Sequence, residues 1–354
     1  PCPCRTNIKS GTKMGGRSVR PTKRTLGELL EQWLDDYARP NVGPMTFQAY
    51  EHMTRKHLIP GLGRVQLSEL RPQHLLAYYA AKLERGRLDG KGGLSPRTVR
   101  HDHITLHGAL QSAVKWGLMI RNPADAVSPP RSTREEIKTF DEEQLRTFLE
   151  AARETPYYTL FYTSLFTGLR RSELLGLRWE DVDLDLGGIS VNRGLHQVGG
   201  KTFFRAPKSS KGRRQVALPP SVCLLLRQHC NSEEAQRTQL GFPQMRRGDL
   251  VFARADGTPI PPDTLTHAWR KLARKLGFHG IRLHDARHTH ATLLLKQGVH
   301  PKIVQERLGH ATIATTLDTY SHVLPGPQEA AALRFDDLAP DSDVKNPAVP
   351  LANR

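Results

Sequence analysis

The sequence contains no run approaching the roughly eighteen consecutive apolar residues that a membrane-crossing helix needs. Its longest apolar pieces, such as "LFYTSLF" at 160–166, are broken by polar groups, so no membrane anchor is expected. Cysteine is scarce. The four present, Cys2, Cys4, Cys223 and Cys230, have neither the spacing of a zinc knuckle nor that of a disulfide framework, and reduced thiols in a cytoplasm are expected. The first 24 residues have no carboxylate and no apolar h-region, so they are not expected to be a secretory signal. Acid is in deficit throughout: 35 Asp and Glu stand against 52 Lys and Arg, for a formal charge of +17, so a polyanionic partner is expected and nucleic acid fits best.

The chain of 354 residues is long enough for two domains with a sizeable core in each. Residues 1–24 have too few apolar groups to offset the entropy of ordering and read as a disordered basic arm. From Thr25 the pattern turns helical. "TLGELLEQWLDDYA" opens with a Thr25–Glu28 capping box and places Leu26, Leu29, Leu30, Trp33, Leu34 and Tyr37 on one face. A second helix is expected over "GPMTFQAYEHMTRKHLIPGLG", closed by a turn at Pro60 and Gly61, then a third over "RPQHLLAYYAAKLERG". A fourth begins at Ser95, with Pro96 in its first turn. These predict an all-helical domain over 25–128 and a proline-rich linker over 129–137.

A second domain, 138–324, starts at a Thr139–Glu142 capping box. Two helices lead to "GGISVNRGL", "KTFFRAPK" and "RRQVALP", whose alternation predicts one small antiparallel meander, and helices return to Val323. The fold expected is mainly α with a small antiparallel β-sheet.

Four segments carry polar groups that plain packing does not ask for: "TGLRRSELLGLRW", "APKSSKGRR", "LHDARHTHATLL" and "LGHATIATTLDTY". In the first, Glu173 lies within one helical turn of Arg170 and can fix its guanidinium. In the third, His284 and Arg287 sit three apart at a helix N-terminus, where both can face an anion. His288 and His290 complete no zinc motif, for no carboxylate or thiolate joins them. Singly, an Arg170–Glu173 pair reads as a surface ion pair, His310 as a helix cap and Tyr320 as core. Together they are hard to assign to packing.

"TGLRRSELLGLRWEDV", "HDARHTHATLLLKQG" and "IVQERLGHATIATTLDTYSHV" resemble the tyrosine recombinase, or phage integrase, family, and 25–128 resembles that family's helical core-binding (SAM-like) domain. The resemblance implies that Arg170 and Arg287 clamp a phosphate, flanked by His284 and His310, with Tyr320 as nucleophile and Glu173 steadying the site. It also implies a lysine on the hairpin turn, for which Lys208 matches best and Lys211 is the runner-up. His284 is the expected proton acceptor for Tyr320, with a minor part for His310. The implied reaction is site-specific cutting and rejoining of double-stranded DNA at attachment sites through a 3′-phosphotyrosyl link, for a phage or other mobile element, without metal or cofactor. A two-domain clamp and a homotetramer on two duplexes are implied, with an excisionase or DNA-bending protein as an accessory partner. "GPQEAAALRFDDL", within the C-terminal segment 325–354, is a candidate docking helix for a neighbouring subunit or for its own domain. The arm-binding unit that many members carry before the core-binding domain is not visible. Related chemistry would serve a type IB topoisomerase, and chromosome-dimer resolution is a narrower variant. A silent DNA-binding protein fits poorly, since every expected reactive position is filled.

Overall fold

A computed structural model describes residues 23–132, 136–207 and 210–320; residues 1–22 of the expected arm, Lys208 and the segment beyond Tyr320 lie outside the described residues. The chain divides into two compact units at the 135/136 boundary.

The first unit is helical. Helix α1 (Leu26–Gln32) starts as expected: the Glu28 N–H donates to the Thr25 hydroxyl, while the Thr25 N–H donates to the Glu28 carboxylate at 2.8 Å. It continues through a π turn, Trp33–Ala38, into α2 (Arg39–Asn41). That turn redirects the apolar face, and Tyr37 stands 44% exposed instead of joining Leu26, Leu30 and Leu34 in the core. Helix α3 (Pro44–Met53) passes through a second π turn, Thr54–Leu58, into α4 (Ile59–Leu62). Pro60 therefore does not close this helix. A proline in a helix has no N–H to give and crowds the carbonyl four residues back. Each π turn lies just before a proline, Pro40 or Pro60, and its longer repeat accommodates the misfit. Helices α5 (Pro72–Arg85) and α6 (Pro96–Lys115) complete the unit, α6 capped by Ser95 as expected. Its core gathers Trp33, Leu58, Leu75, Leu106 and Leu110.

The second unit opens with α7 (Glu142–Ala152). Its cap is Asp141 paired with Gln144, two residues later than the expected Thr139–Glu142, because the Asp141 side chain accepts the Gln144 N–H at 2.8 Å. Then come α8 (Tyr158–Thr167) and α9 (Arg171–Leu175). Strands β1 (Val182–Asp183), β2 (Gly188–Val191), β3 (Gly194–Val198), β4 (Lys201–Arg205) and β5 (Arg214–Ala217) follow. The expected single meander is two sheets: "GGISVNRGL" breaks at Asn192–Arg193, β1-β2-β5 pair in one antiparallel sheet, and β3-β4 form a separate hairpin. Asp181 accounts for the break, since it draws in both the Asn192 amide and the Arg193 guanidinium. Helices α10 (Pro220–Gln239), α11 (Pro262–Lys275), α12 (Asp285–Lys296), α13 (Pro301–Leu308) and α14 (Ile313–Tyr320) complete the described chain. Phe140, Phe148, Phe161 and Trp269 form the aromatic centre, with Phe148 and Trp269 ring centroids 4.3 Å apart. The Phe140 N–H donates to the Thr289 hydroxyl, which ties α12 to this centre.

Candidate active site

Two left-handed glycines shape the site. Gly168 (φ +65°) ends α8, and a Cβ there would lie 2.8 Å from the His290 ring; Gly309 (φ +65°) ends α13, and a Cβ there would lie 3.0 Å from Arg214. Both need the positive φ and the missing side chain. Each presents a carbonyl to an arginine. Arg287, buried on the first turn of α12, donates to the carbonyls of Gly168 (2.8 Å) and Leu308. Arg170, the residue before α9, donates to the Gly309 carbonyl at 3.2 Å. Two guanidinia from segments over a hundred positions apart thus hang from adjacent carbonyls, Leu308 and Gly309, immediately before His310.

Glu173 holds Arg170 as the sequence suggests: Oε1 accepts from Nη1 at 2.6 Å and Oε2 from the backbone N–H at 2.9 Å. It also receives Arg214, which the sequence reading missed, through Nη1 at 3.1 Å and Nη2 at 2.9 Å. Burial pushes the Glu173 carboxyl up, but the hydrogen bonds and charge of Arg214, then Arg170, prevail and bring it to about 2. Arg214 Nε donates to the Arg307 carbonyl at 2.7 Å. Arg307 in turn donates to His290 Nε2 and to the carbonyls of Phe166 and Ala217. Burial and Arg170 push Arg287 down to about 9, so it remains cationic at neutral pH.

Tyr320, at the end of α14, is 1% exposed, with its ring among Ala291, Leu295, Val304 and Leu308. Its hydroxyl lies 2.7 Å from His288 Nδ1. The histidine on the phenol is therefore His288, not the expected His284. His288 lies one turn beyond His284 on α12, and the C-terminal end of α14, which packs on α13, brings Tyr320 to it; the two histidine rings meet edge-on at 5.1 Å. Burial raises Tyr320 to about 12, against an opposing pull from Arg287. Burial, then His284, lowers His288 to about 4; burial, then Arg287 and Arg170, lowers His310 to about 4. His284 is lowered for the same reasons, burial first and Arg287 second. All three rings are pushed towards the neutral form, and His310 Nδ1 is fixed 2.9 Å from the Thr316 hydroxyl.

Lys211 lies not on a hairpin turn, as expected, but on the connection from β4 to β5, two strands of different sheets, and donates from Nζ to the Ala311 carbonyl at 2.7 Å, one residue from His310. Four further side chains belong to the cluster: Arg214, His288, His290 and Arg307. Arg214 carried a legible signal, since it shares a strand face with buried Val216 in β5, where a charge is out of place. His288, one helical turn from His284, carried another. Nothing in the sequence marks His290, whose Nδ1 lies 3.0 Å from the Leu165 carbonyl, or Arg307.

The arrangement offers fixed cations for one anionic group, neutral imidazoles beside them and a phenol in contact with the same helix. A family model described as phage integrase matches residues 138–326, and one for its N-terminal SAM-like domain matches 25–83. A protein of Caldanaerobacter subterraneus named tyrosine recombinase XerC-like is 29% identical, covering 89% of this chain and 83% of its own length. The Tn1549 transposon integrase, solved in complex with a circular intermediate DNA, superposes with a TM-score of 0.73 at 22% identity, covering 89% of this chain and all of its own. The lambda integrase tetramer bound to a Holliday junction superposes at 0.64 and 18% identity, over 84% of this chain and 78% of the other. Among the described residues, no helix is long and apolar enough to cross a membrane.

Proposed function

The chain belongs to the phage integrase family and is a tyrosine-type site-specific recombinase, and from that premise we propose that Arg170, Arg287 and Tyr320 carry out strand exchange on double-stranded DNA. The observation that carries the reading is the pair of guanidinia hung from neighbouring carbonyls beside His310.

Arg170 and Arg287 bind the non-bridging oxygens of the scissile phosphate and hold the charge that grows on them in the transition state. The Tyr320 oxygen attacks phosphorus as its proton passes to a neutral imidazole; His288 Nδ1 is in place for that in the tautomer protonated at Nε2. His284 and His310 flank the phosphate. The bond from phosphorus to the 5′ oxygen breaks, and a lysine between β4 and β5 in the chain, Lys208 first and Lys211 second, protonates the departing oxygen. One phosphodiester is stored as a 3′-phosphotyrosyl ester, and attack by another strand's 5′-hydroxyl reverses the step. Glu173 orients Arg170 throughout.

The basic helical domain, 25–128, and the catalytic domain, 138–324, both grip the duplex and are joined by the 129–137 linker. The active assembly is a homotetramer on two duplexes, an arrangement the lambda integrase structure supports. Its substrates are the attachment sites of a phage or other mobile element, with an excisionase or DNA-bending protein setting direction, in the cytoplasm. The charge of +17 supports a DNA partner.

The test is Tyr320→Phe. We expect it to bind the duplex that the wild-type chain enriches from a randomised pool as tightly as wild type does, while forming no denaturant-resistant protein–DNA adduct. An adduct that persists in this variant would remove Tyr320 as the nucleophile.

A further inference from the structure

Resting on that reading of the site, we infer that Arg214 is a positioning residue whose charge keeps Arg170 available to the scissile phosphate. Arg170 is 36% exposed in its side chain and can meet a ligand, whereas Arg214 gives both of its Nη groups to the Glu173 carboxylate and its Nε to the Arg307 carbonyl. Arg214 therefore acts through its neighbours.

Consider Glu173 with Arg170 alone. A buried carboxylate paired one to one with that guanidinium cancels the positive charge a phosphate is to be attracted by, and it competes with the phosphate for the same N–H groups. With Arg214 present, two guanidinia share one carboxylate and the trio carries a net charge of one positive unit. The geometry is that of sharing: each Glu173 oxygen accepts once from Arg214 and once from Arg170, by its side chain at Oε1 and its backbone at Oε2. Only Nη1 of Arg170 is committed to Glu173, and its Nη2 is held by the Gly309 carbonyl.

Arg214 is itself pinned. Its third donor, Nε, is held by the Arg307 carbonyl, and Gly309 leaves the space its side chain occupies. Its place in β5 couples the sheet to Arg170, so a shift of the strand is felt at the phosphate.

The experiment uses the full chain and a nicked duplex built on the sequence that the wild type enriches from a randomised pool. A second duplex carries a methyl group in place of one non-bridging oxygen at the mapped scissile phosphate, which removes that phosphate's charge. Single-turnover adduct formation is measured on both. On the charged duplex, Arg214→Gln is expected to lower the rate by roughly a hundredfold, the cost of misplacing a catalytic group by about an ångström. Arg214→Lys, which keeps the charge, should recover most of it. On the uncharged duplex, the ratio of wild type to Arg214→Gln should shrink to within about threefold, since no anion remains to be neutralised there. Glu173→Gln with Arg214→Gln should be faster than Arg214→Gln alone, because the competing carboxylate has gone.

DNA binding and the circular-dichroism melting curve of each variant establish that it is folded, and Arg214→Met, which also removes the charge, serves if Arg214→Gln is not. Wild-type rates in both variants, or one and the same loss on the two duplexes, would overturn the inference while leaving the recombinase reading intact. A wild-type chain that forms no adduct at all would overturn both.

Discussion

Asp102 in the helical unit and Glu173 in the catalytic unit are both buried carboxylates, at 0% and 7% exposure, and their surroundings drive them in opposite directions. Asp102 faces a neutral partner: Oδ2 accepts from the Tyr78 hydroxyl at 2.8 Å, and Oδ1 has no hydrogen-bond partner among the described residues. Burial dominates there and raises its pKa to about 6, against the smaller pull of Tyr78 and Lys82. Glu173 faces two guanidinia, and the same desolvation is overcome, leaving it at about 2. The lesson is that burial sets the sign unless opposite charge is in direct hydrogen-bond contact; the catalytic unit supplies that contact, and with it an ion cluster able to hold a reactive group.

Three changes test that comparison. The largest effect is expected from Glu173→Ala, which leaves two guanidinia facing each other with no counter-charge. It should lower the hydrogen-exchange opening free energy of α12 by about 3–5 kcal/mol, the usual cost of stranding one half of a buried ion pair. A loss below about 1 kcal/mol would show that water already screens the cluster.

Asp102→Asn should do the reverse. A raised carboxyl pKa means that the folded state binds more protons than the unfolded chain between about 4 and 6, so the ionised group weakens the fold increasingly as pH rises through that window, and fully above it. Removing the charge should raise the opening free energy of α6 at pH 8 by about 2–3 kcal/mol, from a shift of roughly two pKa units. The gain should fade as the pH falls from 6 towards 4. A variant less stable than wild type at pH 8 would reverse the sign argued here.

The smallest effect belongs to Arg55, which makes the same guanidinium–carboxylate contacts at the surface, with Glu31 at 2.9 Å and Glu51 at 2.6 Å, all three about two-fifths or one-third exposed. Arg55→Ala should cost less than about 1 kcal/mol in a urea titration and lose even that in 1 M salt. A larger cost would mean that this pair, like the one on Glu173, is effectively dry.

Local rules carried the sequence reading far. The Thr25–Glu28 box and the Ser95 cap are set by neighbours within four positions, and both stand where the pattern placed them. The same rules failed where distant groups intervened. Pro60 was read as a stop but is absorbed by a π turn, and Asp181 splits an apparently continuous strand from eleven positions away. In the site, Arg170–Glu173 was legible because three residues separate them, whereas Arg214 reaches Glu173 across 41 positions.

The sequence by itself determined the helical periods, the Thr25 and Ser95 caps and the excess of positive charge, because each follows from composition or from contacts a few residues apart. Only the tertiary structure decided that Arg170 and Arg287 share neighbouring carbonyls, that His288 rather than His284 meets Tyr320, and that Glu173 serves two arginines. Those outcomes depend on where α12, α13, α14 and β5 pack against one another, and side-chain packing across a hundred residues is not encoded in any local period.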